Sequence, residues 1–264
     1  MAPMSPQPLS LSSFDRPVTV LVAGASRGIG LAFVRHLAAS GRVRRIWAGC
    51  REPAMATALA ELAAANEVVR IVPLDITAEN SLAEAARTVA AEQEPLDLVI
   101  NCAGLLHRPA GPQPERRLAD VQLDWLLESF AVNGAGPLLL AKHFEQLLPR
   151  RERAVFASLS ARVGSIGDNR LGGWYAYRAA KAAQNMFIRT LAIELARRAR
   201  GVICVALHPG TTDTGLSQPF QANVPAGKLF STERAATQLL QVIDGLGTND
   251  SGGFFAWNGA RIPW

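Results

Sequence analysis

Short β-rich apolar runs alternate with amphipathic stretches along nearly the whole chain. The first run, 18–23, reads Val-Thr-Val-Leu-Val-Ala and breaks into the turn Gly24-Ala25-Ser26-Arg27-Gly28-Ile29-Gly30. A helical pattern follows, with Ile29, Phe33, Val34 and Leu37 on one face, and stops near Gly41. The same reading predicts strands over 45–49, 68–74, 96–100, 154–159, 202–207 and 253–256. Helices are predicted over 54–66, 80–92 and 232–246, with two long amphipathic ones over roughly 118–148 and 174–198. Strands alternating with helices imply a parallel sheet covered on both faces. The expected fold is α/β, a Rossmann-type doubly wound parallel sheet of about seven strands in one domain over 18–264. Residues 1–17, rich in Pro and Ser, read as a flexible leader without the apolar stretch of a secretion signal. Two segments holding Pro and Gly, 105–117 and 215–228, read as long functional loops.

Composition narrows the classes of function. A chain of 264 residues can bury a sizeable core. It has no sustained apolar run of about 18 residues, so no membrane partner is expected. The net charge of +5 invites a nucleic-acid reading. Its arginines, however, fall in short groups within 42–45, 150–153 and 197–200, where a helix ends and a strand is about to begin. Cations there complement the helix dipole. No basic stripe interleaved with aromatics is present, so no nucleic-acid partner is expected. Cys50, Cys102 and Cys204 stand far apart, and His36, His107, His143 and His208 form no ligand pair. That spacing favours neither a metal site nor a disulfide framework and suits a reduced, cytoplasmic setting.

Two motifs carry chemistry. Glycines 24, 28 and 30 follow a strand and open a helix, the context in which backbone amides and a helix N-terminus cradle a pyrophosphate. Their spacing, Gly-x-x-x-Gly-x-Gly, is a variant of the dinucleotide fingerprint; a turn without a ligand is the plainer alternative. In Tyr177-Arg178-Ala179-Ala180-Lys181 a phenol and an ammonium lie four residues apart, on one face of a helix. A neighbouring cation favours phenolate, so Lys181 is expected to lower the Tyr177 pKa and make it a proton donor and acceptor near neutral pH. Chance and helix packing also yield this spacing, and its weight comes from the glycine turn. After the second strand the chain reads Ala48-Gly49-Cys50-Arg51, with no carboxylate before Glu52. An acid there would repel a ribose 2′-phosphate, whereas Arg27 and Arg51 could clamp one. The charges therefore favour NADP(H) over NAD(H).

With these segments the chain resembles the short-chain dehydrogenase/reductase family from about residue 18 to its C-terminus. Asp75, Asn101-Cys102-Ala103-Gly104, Asn133, Tyr177 with Lys181, and Pro209-Gly210-Thr211-Thr212-Asp213-Thr214 carry the likeness in order. Within the family, 160–166 and 257–264 resemble the bacterial C-signal (C-factor) proteins and the sniffer-type carbonyl reductases. The resemblance implies that Tyr177 exchanges a proton with a carbonyl or alcohol oxygen, while Lys181 tunes it and bonds the nicotinamide ribose. It implies that Asn133 holds a water linking Lys181 to solvent, an Asn bonding to backbone inside a helix being the plain alternative. Asp75 would contact the adenine or cap a strand-to-helix turn, and the two are compatible. The implied cofactor cradle is Gly24, Ser26, Arg27, Gly28, Ile29, Gly30, Arg51, Asp75, Ile76, Asn101, Ala103 and Gly104, with Tyr177, Lys181, Pro209, Gly210, Thr212 and Thr214. The family's substrate-orienting serine commonly stands three residues before a glycine, where this chain has Ala161 before Gly164. Ser160, displaced by a one-residue insertion, is taken for that role, with Ser158 and Ser165 structural.

Trp174, Leu171, Leu105 and Phe220 are candidates for an apolar substrate pocket, or for ordinary core. The expected function is reversible NADP(H)-dependent reduction of an aldehyde or ketone to the alcohol. The alternative is a nucleotide-binding signalling or regulatory protein on the same fold. A tuned phenol favours the enzyme, since a binding module has no use for one. As in the family, the long helices would pair copies of the chain into a homodimer or homotetramer.

Overall fold

The structure, a computed structural model, describes residues 11–264. Its strands are β1 (Val18–Ala23), β2 (Val43–Cys50), β3 (Val69–Pro73), β4 (Leu98–Asn101), β5 (Ala154–Leu159), β6 (Val202–His208), β7 (Thr211–Thr212), β8 (Leu229–Phe230) and β9 (Gly253–Ala256). Seven of them form one sheet in the order β3-β2-β1-β4-β5-β6-β9, every pair parallel. The expected doubly wound sheet is found. Strands buried on both sides read as continuous apolar runs, and alternate residues supply the two cores. Val18, Val20 and Val22 of β1 face one core with Phe33 and Leu37. Leu21 and Ala23 face the other, with Phe144 and Leu191.

Helices α1 (Gly28–Ala39) and α2 (Thr57–Ala65) pack on the first face. So does α7 (Thr232–Gly245), as Leu239, Leu240 and Ile243 show. The second face carries α3 (Glu79–Ala90), α5 (Gly136–Phe144) and α6 (Tyr175–Arg198). The single helix expected over 118–148 is broken. It becomes a 3-10 turn at Leu118–Asp120, α4 (Leu123–Phe130), a π-helical turn at Ala131–Ala135 and then α5. The extended Val121 and Gln122 separate the first two pieces.

Of the flexible leader expected over 1–17, residues 11–17 are packed against the domain. Residues 1–10 lie outside the described residues, but Leu11 and Phe14 are buried in the first core. Ser13 donates from both its amide and its hydroxyl to Asp244, and Arg16 pairs with buried Asp97 at 2.8 Å. Asp97 also accepts the amide of Thr19 at 2.8 Å, so this tie is part of the entry into β1. Strand order reverses between β1 and β4, and ligands of such sheets bind beyond the strand ends at that switch. Both long loops and all the candidate motifs lie on that side.

Candidate active site

At the end of β1, the amides of Gly24 and Ala25 donate to the carbonyl of Gly49 in β2, both at 2.9 Å, which folds the turn tightly. A Cβ on Gly30 would come within 2.1 Å of the Gly24 oxygen, and one on Gly24 within 2.8 Å of the Ala103 nitrogen. Only glycine permits that approach between turn, helix and the segment after β4. Helix α1 starts after extended Arg27 with no side chain capping it and no acid in its first turn. Its first amides therefore have no side-chain acceptor and carry the positive end of the helix dipole, which suits a phosphate. Ser26 and Ile29 are half-buried in the same turn. Arg27 and Arg51 are exposed, and neither side chain has a partner among the described residues. Thr214 lies over the turn, its methyl 3.4 Å from where a Cβ of Gly28 would be. It belongs to the 209–214 segment, in which β7 pairs with β8 and buried Thr212 lies near the Pro209 and Gly210 carbonyls. Asp75 accepts from the amide and hydroxyl of Thr77 at 2.9 and 2.7 Å, which closes the turn after β3, whereas α3 itself starts after Ala78 with no side-chain cap. Ile76 is core, packed where α5 begins at Gly136.

After β4 the chain is held from within. Asn101 is fully buried; its amide group donates to the Ser158 hydroxyl at 2.9 Å and accepts from Ala103. Its side chain shapes the floor under Gly104 and does not face open space. The Asn133 side chain is equally committed: it clamps Leu105 through both backbone groups, at 3.0 and 2.7 Å, and donates to Ser129. It bonds to backbone, the plain alternative, and the π turn around it joins α4 to α5.

Tyr177 and Lys181 lie on the buried face of α6, the Lys181 nitrogen 5.7 Å from the phenol ring centroid. No described residue bonds the Tyr177 hydroxyl. Lys181 donates to the Leu159 carbonyl at 2.9 Å and to Gln184 at 2.8 Å. Burial pushes the lysine pKa down to about 7, with Cys102 opposing slightly. Burial pushes the phenol pKa up. The expected lowering of the Tyr177 pKa by Lys181 is thus not found: both groups are desolvated, and the cation is turned to Leu159 and Gln184. Tyr177 is a neutral phenol, the form that can give a proton.

The three serines take different positions. Ser158 accepts from Asn101 and from Gln184 at 2.8 Å. Ser165 accepts from the Asp168 amide. Ser160 is buried and donates to Asn185 at 2.7 Å. Gln184 and Asn185, absent from the sequence reading, therefore join the site, and Glu115 and Arg178 do too. The carboxylate of Glu115 accepts the Ala176 amide, and its carbonyl accepts that of Trp174 at 2.6 Å. Arg178 donates to the carbonyls of Gly173 and Val163. A signal existed: Gln184 and Asn185 follow Lys181 by three and four residues, so they share its buried face. Among the pocket candidates, Trp174 contacts Phe220 (ring centroids 5.1 Å apart) and Tyr177 (6.3 Å), whereas Leu171 is 93% exposed. Leu105 is held by Asn133. His107 meets Phe220 edge-on and the Gly215 carbonyl at 3.0 Å. His208 is pushed down to about pH 4 by burial and Arg162, so it is neutral at pH 7.

Cys50 and Cys204 are buried and Cys102 half-buried, and no metal-ligating cluster occurs among the described residues. No helix is long and apolar enough to cross a membrane among the described residues.

A phosphate-ready turn at the switch point of a parallel sheet, followed by a buried Tyr/Lys pair, defines a class of oxidoreductases. The family description "short chain dehydrogenase" matches residues 18–225, and the chain belongs to that family. Among solved structures it is similar to the NADPH-bound carbonyl reductase from chicken fatty liver: 31% identity, TM-score 0.84, covering 94% of this chain and 100% of that one. It is similar also to the carbonyl reductase Sniffer of D. melanogaster, at 26% identity and TM-score 0.82, covering 93% and 99%. The C-signal protein of Myxococcus xanthus is 34% identical over 170 residues, 64% of this chain and 93% of that protein. The expected family and its C-signal and sniffer-type likeness are found.

Proposed function

We propose that this short-chain oxidoreductase reduces an aldehyde or ketone with NADPH, and runs in reverse as an alcohol dehydrogenase. The observation that carries the reading is Tyr177: a buried phenol with no partner for its hydroxyl among the described residues, beside a lysine that titrates near 7. The residues present fit a dinucleotide, because glycine at 24 and 30 lets the turn fold closely against α1 and the segment after β4, and α1 is uncapped. Gly24, Ser26, Gly28, Ile29 and Gly30 would hold the pyrophosphate. Asp75 and Ile76 would border the adenine, with Asn101 shaping and Ala103 and Gly104 forming the floor. Pro209, Gly210, Thr212 and Thr214 would close over the nicotinamide half. The bound cofactor supplies the hydride.

The chain's own groups manage the proton. Tyr177 gives its hydroxyl proton to the carbonyl oxygen as hydride reaches the carbon, which yields the alcohol. Lys181, half-protonated near neutral pH, returns a proton to the phenolate. Asn133 would hold the connecting water by its main-chain oxygen, since its side chain is spent on Leu105 and Ser129. Ser160 would orient the substrate oxygen after turning its hydroxyl from Asn185. Arg27 and Arg51 would bind the 2′-phosphate, in keeping with the NADPH bound by the chicken-liver neighbour. We propose further that the chain acts in the cytoplasm as a homodimer or homotetramer. Leu123, Leu127 and Phe130 of α4, with Met186 and Ile193 of α6, leave an exposed apolar face for a second copy.

A screen of aldehydes, ketones and secondary alcohols, followed by nicotinamide absorbance with each cofactor, tests the reading. Turnover with NADPH supports it. No turnover across the panel, with the dinucleotide still bound, would favour the signalling alternative that the C-signal likeness permits.

A further inference from the structure

A cleft of about 400 Å³ is walled by Pro114, Pro219, Phe220 and Trp174, with Gln113 and Arg116 among its lining residues. Trp174 links it to the chemistry, since its ring meets both Phe220 and Tyr177. The indole is fixed by an unusual backbone. Gly172, Gly173 and Trp174 have φ of +65°, +64° and +53°, a left-handed turn that glycine accepts and tryptophan resists. Glu115 and Arg178 hold it there. The Glu115 carbonyl takes the Trp174 amide, its buried carboxylate takes the Ala176 amide, and Arg178 binds the Gly173 carbonyl. A strained, tethered tryptophan against a second aromatic ring is a preorganised flat wall.

Among the described residues, Arg116 is the one charged residue lining the cleft. The arginines around it are committed: Arg108 to Glu128, Arg117 to Asp120, Arg162 to Asp168, and Arg178 to backbone carbonyls. The nearby acids Glu115 and Asp120 are likewise spent, on the Ala176 amide and on Arg117. Arg116 alone of this group has a guanidinium without a partner among the described residues. A free guanidinium matches a carboxylate in a two-pronged pair.

We propose that the cleft takes an aromatic aldehyde or ketone whose ring carries a carboxylate, the ring lying against Trp174 and Phe220 and the carboxylate on Arg116. This rests on the reductase reading for its chemistry, but the recognition is an equilibrium property. The test is calorimetric titration of 4-carboxybenzyl alcohol and of benzyl alcohol into the full chain, with and without NADPH. Wild type should bind the acid about fivefold or more tighter, a modest factor because Arg116 is exposed to solvent. Arg116→Gln should bring the acid down to the level of benzyl alcohol. Trp174→Gly, which keeps the left-handed turn accessible, should weaken both. Equal binding by wild type, or a preference that survives Arg116→Gln, overturns the proposal. Turnover of aromatic aldehydes without that preference strikes the cleft and spares the reductase; preference without any turnover does the reverse.

Discussion

Replacing Lys181 by methionine should change how stability depends on pH, by an amount the structure specifies. Lys181 is 2% exposed, and its pKa falls from 10.5 to about 7 because burial disfavours the ammonium. The folded pKa is depressed, so the folded state holds fewer protons than the unfolded chain between those values. Stability due to this group therefore rises with pH and is lost as pH falls through 7. From about pH 6 to about pH 9 the folded lysine releases its proton while the unfolded one keeps it, a difference of about 2–3 kcal/mol. Burial pushes the neighbouring Cys102 thiol up, so it stays neutral over this window and adds no titration of its own. Methionine keeps the length and removes the charge. Gln184 loses a donor, while the Leu159 carbonyl retains the Gln184 amide at 3.1 Å. That loss is independent of pH and cancels in the comparison. Denaturant unfolding of both proteins at the two pH values reads the difference directly. Relative to wild type, Lys181→Met should gain about 2–3 kcal/mol at the acid end over the alkaline end. Parallel stability profiles would mean that Lys181 keeps an ordinary ammonium, and the burial argument would fail with it.

Other outcomes follow from the same contacts. Ser160→Ala should lower the rate of carbonyl reduction about tenfold to a thousandfold if its hydroxyl turns to the substrate; a silent variant leaves Ser160 as a tie to Asn185 only. Wild type should bind NADPH about tenfold or more tighter than NADH at fixed ionic strength, and Arg51→Asp should remove much of that margin; tighter NADH binding by wild type would mean that Arg27 and Arg51 serve only solvent. Leu11 is 0% exposed in the first core, so Leu11→Ala should cost about 2–5 kcal/mol of unfolding free energy. A negligible cost would show that 11–17 is a leader after all.

The sheet was legible because a strand buried on both faces must be apolar at every position, and 154–159 and 253–256 are recovered to the residue. The pair β7 and β8, two residues each, is too short to leave a periodic trace. The broken helix near 121 was not legible, since the apolar spacing runs on across the extended Val121 and Gln122. Neither was the anchored leader, whose Leu11 and Phe14 look like isolated apolar residues until α7 is placed beneath them. In the site, the glycine turn and the Tyr/Lys pair stand out because each is a local spacing. Glu115 does not: its partners Trp174 and Ala176 lie about sixty residues away, and only the fold brings a loop carboxylate to the start of α6. The error over the Tyr177 pKa has a similar origin. Spacing shows that a cation is adjacent, but burial of both groups, which spacing does not encode, decides the sign.

The central claim is that Tyr177 supplies the proton in a carbonyl reduction. Its most direct test is aldehyde-dependent consumption of NADPH by wild type and by Tyr177→Phe, with NADPH binding measured on the same preparations. The phenol hydroxyl acts in the transition state and is not needed to hold the dinucleotide. Tyr177→Phe should therefore bind NADPH nearly as wild type does and show essentially no turnover. Turnover at the wild-type rate by Tyr177→Phe would contradict the account.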